Sequence, residues 1–392
     1  MRTGFPPLLV ALLTLGLAVA CSSRSEAQES GDCTDPFADA ERVAFDPDPW
    51  ATNFCEHSVP YAEIQSGGPG KDGIPPIDRP RFEEVAAADA WLESEEPVIA
   101  VEIRDQARAY PLQILVWHEI VNDRLAGEPI AVTFCPLCYS AIVFDRTLPN
   151  GRTVSFGTTG NLRMSDLVMW DRATESWWQQ YSGEAIAGEL TGMKLTKIPA
   201  SIVGWADFKE EYPEGEVLSR ETGYDRDYGR NPYVGYDDVD KMPFMYDGPV
   251  GDRLPPMARI VGVELGSAAR AYPLDHLKEV QVVNDTLGGS PVAIFWQEGT
   301  RSAVDASSIA GGRGIGATSA YRTRVGDRTL TFRPAEEGGF VDEQTGTRWS
   351  WAGEAIEGEL EGTELEPIVH QDVFWFVWSA FQESRELYEP AL

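Results

Sequence analysis

The chain has 392 residues, with 63 acidic against 32 basic side chains and a formal charge of −31. That excess repels phosphate backbones and anionic lipid headgroups, which excludes nucleic acid as a partner. A hydrophobic share of 43 %, with 12 Trp and 16 Phe, is enough for the cores of two or three domains and excludes global disorder.

Residues 1–21 have the layout of a bacterial export signal: a basic start at Arg2, then an apolar stretch from Phe5 to Ala20 that ends in small residues. Cys21 follows Ala18-Val19-Ala20 and precedes a polar run, as in a lipobox, although Ala18 stands where Leu is commonest. A protein exported from the cytoplasm and held at a membrane by a lipid on Cys21 is therefore expected. Further along, no apolar run is long enough to cross a bilayer. Residues 22–73 read as an irregular extension in which Cys33 and Cys55 are placed to form a structural disulfide, which an oxidising compartment permits.

The rest of the chain repeats itself. Arg108-Ala109-Tyr110-Pro111-Leu112 recurs 162 residues later as Arg270-Ala271-Tyr272-Pro273-Leu274, and Val121-Asn122-Asp123 recurs as Val283-Asn284-Asp285. GEAIAGELTG from Gly183 returns as GEAIEGELEG from Gly353, and Trp205 to Phe208 matches Trp378 to Phe381. Matches in one order predict two tandem homologous domains. The first spans 74–219 and the second 258–392, with a Tyr-, Asp-, Gly- and Pro-rich connection at 220–257 whose aromatics should pack on both. Within a copy, VIAVEI from Val98 turns at Asp105-Gln106 into ARAYPL, a hairpin. PIAVTF from Pro129, SAIVF from Ser140 and RTVSF from Arg152 read as strands, and Leu112 to Val121 and Ile202 to Tyr212 as helices. The predicted class is α+β, mainly antiparallel sheet with short helices.

At the constant spacing, His118 falls on Val280, Cys135 on Gln297 and Cys138 on Thr300. Only the first copy keeps the three reactive groups, so it is the functional candidate. Its segment Gly157 to Trp170 reads as a longer loop closing over the site with Asn161, Arg163, Met164 and Asp166. Cys135-Pro136-Leu137-Cys138 puts two sulfurs on one turn, close enough to oxidise together or to hold one soft metal ion. Structural zinc commonly needs two such knuckles, and only one is present. His118, Cys135 and Cys138, with Met164 as a weak fourth ligand, would suit copper, and Glu119 would orient the imidazole. A thiol–disulfide oxidoreductase is the alternative, with Cys135 attacking and Cys138 resolving. A third is a module that binds a small ligand or partner and uses the cysteines only as a staple.

IPPID at Ile74, VWHEIVND from Val116, TFCPLCYSAIVFDR from Thr133, GTTGNLRMSDLVMWDRATESWW from Gly157 and YGRNPYVGYD at Tyr228 together resemble the DUF3179 family. The resemblance covers most of the mature chain. It implies an exported prokaryotic protein with a C-P-x-C element, here Cys135, Pro136 and Cys138, and transfers no catalytic role. If Cys33 and Cys55 are joined, the intact mass of the purified chain will rise by two hydrogens on reduction, and Cys33→Ser will abolish that rise. An unchanged mass would mean that no disulfide is present.

Overall fold

The apolar run Pro97 to Val101, buried throughout, opens the strand Pro97–Ile103, which pairs with Gln106–Pro111 as an antiparallel hairpin, in register from Val98 opposite Pro111 to Ile103 opposite Gln106. Arg104 makes the turn in the left-handed region, at φ 53°. Pro111, at φ −62°, sets the chain into the helix Leu112–His118. Glu119 ends that helix at φ 58°, its N–H donating to Leu115 O at 2.8 Å, and so reverses the chain. The strand Ile120–Leu125 then pairs with Glu128–Cys135, which pairs in turn with Ser140–Asp145. A separate five-stranded sheet carries the hairpin Phe156–Arg163 and Asp166–Asp171.

The computed structural model describes residues 1, 4, 33, 35–38, 43–250, 252–336, 338–383 and 386–390. Cys21 and the expected signal, Met1 and Gly4 apart, lie outside the described residues. Pro36–Leu392 gathers into one unit; of the other, Met1–Asp35, only Met1, Gly4, Cys33 and Asp35 are described. The class is α+β, mostly antiparallel sheet with a few short helices. Glu216–Leu218 beside Gln106–Pro111 is a parallel exception. Among the described residues no helix is long and apolar enough to cross a membrane.

Five elements recur at the spacing of 162: Arg259–Leu265, Ala268–Pro273, the helix Leu274–Val280, Val282–Leu287 and Ser290–Gln297. Gln281, at φ 61°, stands where Glu119 does. The repeated sequence blocks make the same bonds in both places. Arg108 and the Tyr110 hydroxyl both donate to Asp123 Oδ2, at 2.7 and 2.6 Å; Arg270 and Tyr272 do so to Asp285 Oδ2, at 2.5 and 2.8 Å. The Asn122 side chain clamps the backbone of Phe156 with two 2.8 Å bonds, and Asn284 clamps Phe332 in the same way. Asp171 receives the Thr174 N–H and the Trp178 indole, as Asp342 receives those of Thr345 and Trp349. The spacing breaks after Gln297: residues 298–316 precede Ala317–Arg322, where the first copy needs only 136–139. Thr300 is therefore not the structural counterpart of Cys138.

Four local expectations change. The helix expected over Leu112 to Val121 stops at His118, and Ile120 and Val121 belong to the strand Ile120–Leu125. Ile202 to Gly204 belongs to the strand Ser201–Gly204, paired with Pro97–Ile103, so the second helix begins only at Trp205. A short apolar run suits either state, and the open sheet edge decides it. Arg152 to Ser155 holds only a bridge between Thr147 and Thr153, the next strand starting at Phe156. Gly157 to Trp170 is a β-hairpin rather than a loop, because Met164 and Ser165 make a tight turn between the strands Phe156–Arg163 and Asp166–Asp171.

One apolar core joins residues from both halves of the chain, including Tyr110, Phe134, Trp178, Val304, Phe374 and Trp378. The connection contributes Tyr228, Tyr233 and Tyr236 to its edge. Asp123→Ala would leave the buried Tyr110 hydroxyl without its acceptor and take from Arg108, 14 % exposed, one of its two carboxylates, Glu216 remaining, with an expected loss of about 2 kcal/mol in chemical denaturation. Asp285→Ala should lose less, since Arg270 is 26 % exposed. Equal losses would show that burial does not set the strength of this bond.

Candidate functional site

Cys135 is the last residue of its strand and sits opposite Ser140 across a tight turn. The turn closes with the Cys138 N–H donating to Cys135 O at 3.2 Å and with Tyr139 at φ 56°. Remote segments hold it in place. Cys138 O accepts the Phe374 N–H at 3.2 Å, the Tyr139 hydroxyl accepts the Ala303 N–H at 3.2 Å, and the Arg259 guanidinium lies 3.7 Å from the Tyr139 ring centre. Both thiols are buried, Cys135 at 2 % exposure and Cys138 at 0 %.

The hairpin Phe156–Arg163 and Asp166–Asp171 turns at Met164 and Ser165, with φ of 52° and 63°. That turn aims Ser165 O and Asp166 at the thiols. Cys138 Sγ lies 3.5 Å from Ser165 O and donates to Asp166 Oδ1 at 3.2 Å. The other carboxylate oxygen accepts the Gln179 amide at 2.6 Å and the Tyr181 N–H at 2.9 Å. One ligand atom each from Cys135, Cys138 and Asp166 lies within 4.8 Å of the others, close enough to share one ion.

Burial governs the electrostatics. It pushes Asp166 up to about 6 and Glu119, which also feels the Asp166 charge, up to about 8. Burial likewise raises both thiols, Cys138 well above its ordinary value, and neighbouring acids add to the shift: Asp166 and Glu119 act on Cys135, Cys135 and Asp166 on Cys138.

Of the residues expected to form a site, the structure brings Cys135 and Cys138 together and leaves His118 out of their cluster. Both His118 nitrogens are engaged elsewhere, Nδ1 with Pro75 O and Nε2 with the Tyr228 hydroxyl, each at 2.7 Å. Burial lowers its pKa to about 4, so the ring is neutral near pH 7. Because Pro75 O can only accept, the proton sits on Nδ1 and Nε2 accepts from Tyr228. Its Nδ1 is thus bonded to Pro75 O, not to Glu119. Met164 Sδ lies beside Gly248, where an added Cβ would come within 2.9 Å of it. Cys33 and Cys55 are disulfide-bonded, whereas Cys135 and Cys138 are free thiols.

A family model described as a protein of unknown function, DUF3179, matches residues 71–385, nearly the whole folded chain. The chain belongs to the DUF3179 family. No curated protein and no solved structure matches it. In this DUF3179 protein the C-P-x-C turn and the Met164-Ser165-Asp166 turn converge on one buried point. The sequence had placed Asp166 in the segment closing over the site but not among its ligands.

Thiols that are buried and raised react slowly, because the thiolate is the nucleophile. The metal-free native protein should therefore react with iodoacetamide near pH 7 far more slowly than the same chain in denaturant, and faster as the pH rises past the ordinary thiol range. Rapid labelling of Cys135 at neutral pH would mean an accessible, activated thiol and would favour disulfide exchange.

Proposed function

We propose that this protein holds one transition-metal ion through Cys135 Sγ, Cys138 Sγ and a carboxylate oxygen of Asp166. The observation that carries the proposal is the packing of three acidic ligands within 4.8 Å of one another in a fully buried pocket. Two thiolates and a carboxylate would bring three negative charges, which a cation offsets and burial alone opposes. Replacing the expected imidazole by a carboxylate makes the donor set harder than a copper-type His/Cys/Cys set, and zinc accepts both donor types. Three protein ligands leave a position for an outside molecule, the pattern of a reactive rather than a purely structural centre.

The proposal includes the setting of the site. Disulfide-bonded Cys33 and Cys55 support an oxidising compartment, in keeping with export and a lipid on Cys21. The recurrent bonds of Arg108, Asn122 and Asp171 in the second half support duplication of one ancestral domain. Thiol–disulfide exchange at Cys135 and Cys138 is the second function, favoured by two free thiols on one turn and opposed by their burial.

Metal content decides between them. The full chain, purified from cells supplied with copper, zinc and iron, is expected to carry one equivalent of metal. The Cys135→Ser, Cys138→Ser double variant should carry none, Asp166→Asn should bind weakly, and His118→Ala should retain the ion. Protein without metal, in which Cys135 and Cys138 titrate as a reversible disulfide, would overturn the metal site and establish exchange.

A further inference from the structure

A cavity of about 540 Å³ opens against the same two turns. Its wall includes Leu137, between the two cysteines, and Leu167, next to Asp166, so it abuts the thiol cluster without containing its ligands. Most of the lining is apolar. At the mouth, Val234, Met242 and Phe244 are 58, 64 and 49 % exposed, an unusual concentration of large apolar side chains left in water.

Two ionisable groups line this space: Lys241, whose ammonium donates to Gly235 O, and Glu119. Glu119 is 7 % exposed and lines the cavity, and its carboxyl draws no hydrogen bond from the described residues; its oxygens are not among the fully buried atoms that lack a partner, so they open onto the cavity. A carboxyl turned to open space rather than to a protein donor is available to a bound molecule. Its backbone is held firmly: the left-handed Glu119 donates its N–H to Leu115 O and accepts the Phe134 N–H at 2.8 Å. Gln281 occupies the same backbone position in the second half, so the conformation does not require an acid. What the first half adds is a carboxyl aimed into an apolar pocket.

We propose that this cavity binds a small molecule with an apolar body and a hydrogen-bond donor head, the head pairing with the Glu119 carboxyl and the body lying on Leu137, Leu162 and the exposed apolar mouth. A neutral donor such as an N–H or O–H suits the site better than a second acceptor. A carboxyl oxygen that receives no donor from the protein can accept one from the ligand. The cavity has the size and character of ordinary small-ligand pockets. It stands next to the proposed metal centre but does not depend on it.

The test uses two probes, indole and 1-methylindole, which share an apolar body and differ in one N–H donor. Titrated calorimetrically into the full chain, indole is expected to bind saturably and 1-methylindole about tenfold more weakly, the scale of one lost hydrogen bond. In Glu119→Ala the two should bind alike, and Leu162→Trp, which fills the cavity, should abolish both. The same titrations on the Cys135→Ser, Cys138→Ser variant should be unchanged, which separates this pocket from the metal site. No saturable binding of either probe to folded wild-type protein would overturn the proposal, as would a preference for indole that persists in Glu119→Ala. Comparison of the two probes on the wild-type chain needs no variant to fold.

Discussion

Three acidic groups packed within 4.8 Å in a pocket closed to water cannot all ionise unaided. At the surface, solvent would screen Cys135, Cys138 and Asp166 from one another; buried, each raises the cost of charging the next. Without an ion the two thiols keep their protons, with Cys138 donating to Asp166. With a divalent ion the same three groups become a matched donor set. The fold therefore concentrates negative potential at a point where a cation has the most to offset. It is also where the thiolate needed for disulfide exchange is least favoured.

Such a cluster persists only if both turns are prevented from relaxing, and the surrounding bonds do this. The Phe374 N–H holds Cys138 O, Ala303 and Arg259 hold Tyr139, and Gln179 with the Tyr181 N–H fixes the far oxygen of Asp166. Phe374, Ala303 and Arg259 come from the second half of the chain. The Asn122 clamp on Phe156 joins the strand beside the cysteine hairpin to the start of the strand that leads to Asp166. Strain at Tyr139, Met164, Ser165 and Glu119, all in the left-handed region, is thus borne by bonds that reach across the core.

Local patterns in the sequence disclosed much of this frame and only part of the site. The hairpin from Val98 to Leu112 was legible because an apolar run and a polar turn adjoin there. The Cys135–Cys138 turn was legible because two thiols three residues apart lie on one reversal whatever the fold. Asp166 was harder, since nothing in its neighbours marks it as a ligand; its approach depends on two hairpins from different sheets meeting in space. His118 misled for the same reason in reverse. Its place beside a strand leading to Cys135 suggested a ligand, but its partners are Pro75, 43 residues away, and Tyr228, 110 residues away. Its ring pins the Pro75 segment and the connection to the end of the helix. Ile202 to Gly204 was read as helix because a short apolar run does not reveal the strand edge that will capture it.

The second half has no cysteine turn of its own and braces the one in the first. Its frame departs from the first immediately after Gln297, at the position of Cys135, where residues 298–316 replace a tight turn. Those residues reach both the cysteine turn and the connection. Ala303 bonds Tyr139, Ser302 bonds Asp237 in the connection, and the Tyr236 N–H donates to Val304 O at 3.0 Å beside the cavity wall. The longer connection after Gln297 thus supplies a brace for the cysteine turn. Two similar hairpins have come to do different work, one presenting thiols and the other holding them where water cannot reach.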